Sequence, residues 1–395
     1  MRQLSHLDRV RGCLLGLAIG DALGAPLEGL SPQQIQAHYG QVDNYVDGTR
    51  AWKKKPYRWR MPGLYSDDTQ QALALCDVLL ERRRIDPVRL AELYRDLAKP
   101  KGSYVGAHRG VGRSFRKVLA QLERGDPPHV TGQDSAGIGA AMRIAPVGLY
   151  FDADRREEMF EAVMAASLMT HRDIRSLAGA AVVVHAVRRL VDGEGREPSL
   201  LFRLAADVAR DEERIGAAYA GVVASLERHP RSLSCAVARV EALLEQPRRQ
   251  ALDALVEEAN RHGAEPPCRR ATMGFPPACI PTCLYLLLTT DSFEEALIEV
   301  INLGGDADTT GAILGALAGA HYGVDAIPDR WLVGLENRDA IDLRALALAQ
   351  RSAEGLVIPD LILRERLLSA QEGDYRESRL SLPKNGGDLG ANRRH

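Results

Sequence analysis

The chain has 395 residues, enough for one large domain or for two to three average ones, so length alone leaves the domain count open. Its 51 basic and 53 acidic residues nearly cancel to a net charge of −2, which excludes the strong basic excess of a general nucleic-acid binder. With 45% hydrophobic residues and only 5% aromatic ones, the core has to be close-packed and aliphatic.

The opening stretch, MRQLSHLDRVRG, lacks a basic region followed by an unbroken apolar run, and Asp21 interrupts the nearest hydrophobic segment. Neither a signal peptide nor a membrane span is expected, and the expected location is cytoplasmic. Apolar residues then recur at helical spacing, while alternating β-branched runs are nearly absent. The spacing predicts helices over 7–23, 68–84, 87–98, 112–124, 157–169, 171–191, 200–227, 232–245, 249–262, 277–289, 292–302, 308–322, 338–350 and 358–371. The fold class is therefore all-α, as a single domain over 5–371. A disordered tail is expected over 372–395, which ends KNGGDLGANRRH. Residues 40–66 and 125–149 read as long loops, and long ordered loops are more often functional than ornamental.

Two glycine series stand out. Gly12, Gly16, Gly20 and Gly24 are spaced by four, as are Gly311, Gly315, Gly319 and Gly323. Each glycine inside a helix costs about 1 kcal/mol against alanine, so the repetition implies a packing reason. Both helices are expected to be central and buried. Whether they cross each other or each packs on something else stays open. The six cysteines show neither CxxC nor zinc-type histidine spacing, and read as buried free thiols.

Chemistry concentrates at two helix starts. Ser66, Asp67, Asp68 and Thr69 open an amphipathic helix; alone, that is an ordinary N-cap with acids favoured by the helix dipole. Asp306, Asp308, Thr309 and Thr310 follow Gly304-Gly305 into the second glycine-ridged helix and offer the same paired carboxylates with a hydroxyl beside them. Such oxygens are hard ligands suited to Mg²⁺ or Mn²⁺. If the two starts meet, a two-metal site follows; spacing alone cannot bring them together. Thr170-x-x-Asp173 has capping-box form. The basic aromatic run AWKKKPYRWR (51–60) is either an exposed insertion or a surface for an anionic modified macromolecule.

Taken in order, GCLLGLAIGDALGAPLEG (12–29), YSDDT (65–69), GIGAAMRIAPVG (137–148), Thr170-His171 and NLGGDADTTGAILGALAGAHYG (302–323) resemble the ADP-ribosylglycohydrolase family. The resemblance implies an orthogonal all-α bundle with two Mg²⁺ or Mn²⁺ ions at opposed helix N-termini, in a single compact domain. It implies metal ligation by Ser66, Asp67, Asp68, Asp306, Asp308 and Thr309, and a near-metal role for Glu28. It further implies a substrate loop at Ser135, Gly137, Ile138 and Gly139, where many relatives carry Asn in place of Ile138, with His171 beside it. Met142 and Arg143 are expected to anchor that loop, and His108-Arg109-Gly110-Val111-Gly112-Arg113 resembles an arginine-glycine loop at the pocket rim, where an ordinary N-terminal helix turn is the alternative.

The implied activity is hydrolysis of the glycosidic bond between ADP-ribose and an acceptor. Asp67 is the first choice of general base, Asp306 the second, and Glu28 a further catalytic candidate. Two alternatives stand beside it: a catalytically silent ADP-ribose-binding relative, and a metal-dependent hydrolase of another nucleotide or phosphoester. The expected partner is an ADP-ribosylated protein or other modified acceptor, with nucleic acid only as a modified substrate and the chain a monomer. No GxSxG motif is present, and GLAIGD lacks the preceding strand a dinucleotide fingerprint needs.

Overall fold

The first helix, α1 (His6–Gly24), starts at a capping box in which Ser5 and Asp8 satisfy each other's backbone N–H groups. The computed structural model describes residues 4–99 and 106–381. After α1 come α2 (Pro32–Tyr39), α3 (Asp67–Arg82), α4 (Pro87–Ala98), α5 (Arg113–Glu123), α6 (Ala145–Tyr150) and α7 (Arg156–Leu168). The middle of the chain forms α8 (Ile174–Val191), α9 (Ser199–Ala218), α10 (Ser232–Glu241), α11 (Arg248–Arg261) and α12 (Pro276–Thr289). The last third forms α13 (Phe293–Asn302), α14 (Ala307–Tyr322), α15 (Asp329–Gly334), α16 (Arg338–Gln350) and α17 (Leu361–Ser381). Among the described residues there is no strand, only two isolated bridges, so the fold is all-α.

The glycine series explain what the bundle is built around. A Cβ added at Gly12, Gly16 or Gly20 would lie 1.9–2.3 Å from the carbonyl oxygens of Gly319, Gly315 and Gly311 respectively. At Gly24 it would meet the carbonyl of Ala307 at 2.1 Å. As the first numbers rise the second fall, so α1 and α14 run antiparallel with backbone against backbone. The two series therefore meet, with one adjustment: Gly323 closes α14 at φ +77° and Ala307 takes the fourth contact. By length and composition the stretch His6–Leu27 would pass for a membrane span, but it lies almost wholly buried inside the bundle. The antiparallel packing sets the start of α14 beside the end of α1.

Several boundaries depart from the expected ones for physical reasons. The helix expected over 200–227 stops at Ala218, because the following backbone bonds elsewhere: the Ala224 N–H donates to the Arg172 carbonyl at 2.7 Å and Ile174 to that of Ala224 at 3.2 Å. The same pairing delays α8 to Ile174, so Asp173, not Thr170, caps it, and the expected capping box does not form. The tail expected from 372 is helical as far as Ser381, with Glu372 buried and bonded to Arg376; the rest of that expectation, 382–395, lies outside the described residues. Helix α6 falls in a stretch read as loop, and α2 and α15 form where no element was expected. All six cysteines are free as expected, although Cys235 is exposed.

Two glycine substitutions separate packing from propensity. Gly16→Ala should destabilise by about 1–3 kcal/mol through overpacking. Gly216→Ala, on α9 where an added Cβ meets nothing within 4 Å, should stabilise by roughly 0.4–1 kcal/mol. Urea unfolding of both variants checks this; equal effects would contradict the close approach.

Candidate active site

A buried carboxylate from α1 organises the start of α3. Asp21, fully buried, accepts from the Ser66 N–H at 2.8 Å, the Thr69 N–H at 3.0 Å and the Thr69 hydroxyl at 2.6 Å. Two of the orphan N–H groups at that helix end are thus satisfied from a neighbouring helix. Ser66 is the N-cap and accepts from the Asp68 N–H, while its hydroxyl donates to Asp68 Oδ2 at 3.1 Å. The motifs did not single out Asp21; its only signal was a charge inside an otherwise apolar helix.

Across from it, Gly304 and Gly305 turn at φ +64° and +74°, and the chain enters α14. The Gly305 N–H donates to the Leu30 carbonyl at 2.9 Å, and the Gly29 N–H donates back to the Gly305 carbonyl at 2.7 Å. This exchange ties the segment after Glu28 to the start of α14. Gly274 leaves room for Asp306, since a Cβ there would stand 2.4 Å from Asp306 Oδ2.

The two distant helix starts open onto one cavity of about 620 Å³, lined by Glu28, Asp67, Asp68, Asp306, Asp308 and Thr309. Ser66 is fully buried beneath them and does not line it. Gly137, Ile138, Gly139 and His171 form another wall, with Gln71, Arg113, Arg269, Arg270 and Met273 also facing the space. Ser135 lies instead in an adjoining cavity of about 700 Å³ that shares Gly137, Met273, Gly274 and Arg113 with the first. Of these residues, Gln71, Arg269 and Arg270 went unforeseen because nothing in their spacing marks them, whereas Arg113 ends the expected rim loop.

The carboxylates burden one another. Burial, followed by the charges of Asp21 and Glu28, pushes Asp67 up to about 7. Burial also drives Asp68 well above the ordinary carboxylate range, with Asp21, Asp67 and Asp306 adding to it and the Thr309 hydroxyl opposing. Asp308 is raised for the same reasons, and Asp306 reaches about 6 through burial and Glu28. Asp68 Oδ1 is buried without a hydrogen-bond partner. Among the described residues no three acidic, histidine or cysteine side chains already form a closed metal-holding group. What the cavity does present is a set of crowded hard oxygens, one of them unsatisfied.

The loop and its support are well defined. Arg143 donates to Gln71 Oε1 at 2.5 Å, the Ala166 carbonyl at 3.0 Å and Thr170 Oγ1 at 2.6 Å, and so anchors the loop as expected. Gln71 in turn donates to Asp67 Oδ2 at 2.7 Å, which fixes that carboxylate. His171 Nδ1 lies 2.9 Å from Thr170 Oγ1, and its ring sits against Gly137 and Gly139, where a Cβ would approach to 3.3 and 2.8 Å. Burial and then Arg143 lower its pKa to about 3, so the ring is neutral.

Arg109 is not at the rim. It is buried and bonded to Glu365 at 2.6 Å, behind the site, while Gly110, Gly112 and Arg113 of the same segment line the cavity. Run 51–60 is only partly an exposed insertion: Trp59 and Arg60 are buried, while Lys53, Lys54, Lys55 and Tyr57 are exposed.

Comparison with known proteins agrees with this architecture. Residues 2–356 match the family model ADP-ribosylglycohydrolase. The chain is 28% identical to the ADP-ribosyl-[dinitrogen reductase] glycohydrolase of Rhodospirillum rubrum, over 88% of this chain and 97% of that one. It is 29% identical to human ADP-ribosylhydrolase ARH3, over 87% and 93% of the two chains. A solved structure of an ADP-ribosylglycohydrolase-related protein complex superposes with a TM-score of 0.62 at 30% identity, covering 88% of this chain and 99% of that one. The chain belongs to the ADP-ribosylglycohydrolase family.

Proposed function

We propose that this chain hydrolyses the glycosidic bond between ADP-ribose and an acceptor, in the cavity between the starts of α3 and α14. The observation that carries the proposal is the opening of two carboxylate motifs, some 240 residues apart in sequence, onto the same buried space. The donor chemistry suits two hard divalent cations, Mg²⁺ or Mn²⁺. Asp67, Asp68, Asp306, Asp308 and Thr309 would hold them, with Ser66 shaping Asp68 from behind. When bound, such ions bind sugar hydroxyls, orient water and stabilise charge developing on oxygen.

The residues of the chain divide the remaining work. Gln71 holds Asp67 Oδ2, which leaves Oδ1 near Gly110 to accept the proton of an attacking water. The water oxygen bonds to the anomeric carbon, the acceptor bond breaks, and the acceptor departs with the proton that Asp67 took from the water. The Ser176 hydroxyl bonds the carbonyls of Ser135 and Gly137 at 2.9 and 2.8 Å, so the backbone N–H groups are what the loop can offer a diphosphate. Two adjoining cavities suit an elongated ligand better than a compact one. The acceptor would be a modified protein side chain or another ADP-ribosylated group, and such acceptors have been named for relatives: dinitrogen reductase in Rhodospirillum rubrum and arginine in Serratia proteamaculans.

Release of free ADP-ribose from a panel of ADP-ribosylated acceptors tests the activity. Asp306→Ala should lower turnover at least about a hundredfold, with its helical circular-dichroism signal intact. A chelator should abolish turnover until Mg²⁺ or Mn²⁺ is restored. Full activity in the variant, or in chelator, would refute the assignment.

A second prediction follows from the raised carboxyl groups. Because Asp67 and Asp306 titrate higher when folded, the folded chain keeps protons that the unfolded chain releases between roughly pH 4 and 7. Their contribution to stability is complete below the unfolded value and is lost as pH rises through the folded one. A divalent cation takes the place of those protons, so it should raise Tm more at pH 7.5 than at pH 5. An ion at a hundred times its Kd stabilises by about 2.7 kcal/mol. Thermal melts with and without Mn²⁺ at both pH values measure the difference; equal shifts, or none, would contradict it.

A further inference from the structure

Glu28 lines the cavity from a short segment between α1 and α2, and its side chain is 36% exposed. A carboxylate on such a segment would swing unless something held it. On the inner side, the bonds between Gly29, Leu30 and Gly305 do so. On the outer side stands the run 51–60. Arg58 Nη1 donates to the Glu28 carbonyl at 2.8 Å, and the same nitrogen lies 3.7 Å from Glu28 Oε2. Gly29, at φ +83°, presents its bare Cα face to that guanidinium, and a Cβ there would lie 3.4 Å from Nη1. Arg58 in turn stacks on Trp52 at 4.6 Å, and Trp52 Nε1 donates to the Pro26 carbonyl at 3.1 Å. The segment from Pro26 to Gly29 is thus gripped by two side chains that also grip each other.

The grip is braced from the far end of the chain. Tyr375 on α17 donates its hydroxyl to Asp47 Oδ2 at 3.0 Å, and Arg376 Nε donates to the Trp59 carbonyl at 2.8 Å. Between those two points the Arg60 N–H donates to the Asp47 carbonyl at 3.0 Å. The stretch that carries Trp52 and Arg58 is therefore pinned to the last helix on one side and to the Glu28 segment on the other.

We propose that Arg58, seated on Trp52, is a positioning residue that fixes Glu28 at the mouth of the cavity, and that α17 braces it there through Tyr375 and Arg376. The proposal rests on the hydrolase reading for its effect on turnover, but not for its effect on the segment itself. It also divides the basic aromatic run between two surroundings, since Trp52 and Arg58 face inward while Lys53, Lys54 and Lys55 remain on the surface.

The test uses the full chain. In hydrogen–deuterium exchange, Arg58→Ala should speed exchange at the bonded amides of Gly29 and Leu30 at least about tenfold, with α1 and α3 unchanged. Arg58→Lys should restore most of the protection, and Tyr375→Phe with Arg376→Ala should reproduce part of the loss. In turnover, Arg58→Ala should lower kcat roughly ten- to a hundredfold with KM little changed. In a Glu28→Gln background it should add nothing further. Unchanged exchange at Gly29 and Leu30, or an Arg58 effect fully additive to that of Glu28, would overturn the proposal. A wild-type chain that releases no ADP-ribose from any acceptor would sink the hydrolase reading, while the exchange measurements would still decide the strut.

Discussion

Backbone-to-backbone contact between α1 and α14 is the constraint on which the rest depends. Glycines on both helices let carbonyl oxygens sit where a side chain would begin. Because the helices run antiparallel, the end of α1 lies against the start of α14. Three things follow from that one contact. Asp21 is carried to the start of α3, the Glu28 segment is laid against Gly305, and Asp306, Asp308 and Thr309 are brought to face Asp67 and Asp68. Each interior glycine costs about 1 kcal/mol of helix propensity, and the chain accepts this repeatedly to hold one geometry.

The site so formed is electrostatically unfavourable on its own. Buried carboxylates crowd together and hold their protons to higher pH than usual. Strain of this kind marks functional sites more often than structural ones. Behind the cluster the chain is densely hydrogen-bonded. Glu365 on α17 accepts from Tyr65, Gln70 and Arg109, and Arg109 also reaches the Tyr65 carbonyl. The start of α3 is therefore backed by a buried ion pair, so its two aspartates face the cavity from a fixed base.

Much of this was legible in the sequence, and the reasons differ by residue. Helices with strong 3.6-residue periodicity appeared close to where they were expected, and the glycine ridges announced burial before any partner was known. Paired acids with a neighbouring hydroxyl singled out 66–69 and 306–309, and carboxylates of both segments line one cavity. That the two clusters meet was not legible, because it depends on the direction in which the glycine helices cross. Asp21 was hidden because one buried acid in an apolar helix has no periodic signature. Thr170 looked like a cap, yet the backbone around Asp173 pairs with Ala224 and moves the helix start by three residues. Helix α2 could have been read from Ser31-Pro-Gln-Gln34, whose capping box forms. The extension of α17 to Ser381 could not, since its polar surface gave little apolar period, and its grip on run 51–60 depends on contacts across the whole chain.

The most direct measurement is a crystal structure grown with Mn²⁺ and ADP-ribose, with anomalous scattering used to place the ions. Two peaks are predicted between Asp67–Asp68 and Asp306–Asp308–Thr309, with the terminal ribose over them and the diphosphate along Gly137–Gly139. A cavity that binds ADP-ribose without any ion there, or ions that settle elsewhere on the chain, would contradict the two-cation hydrolase.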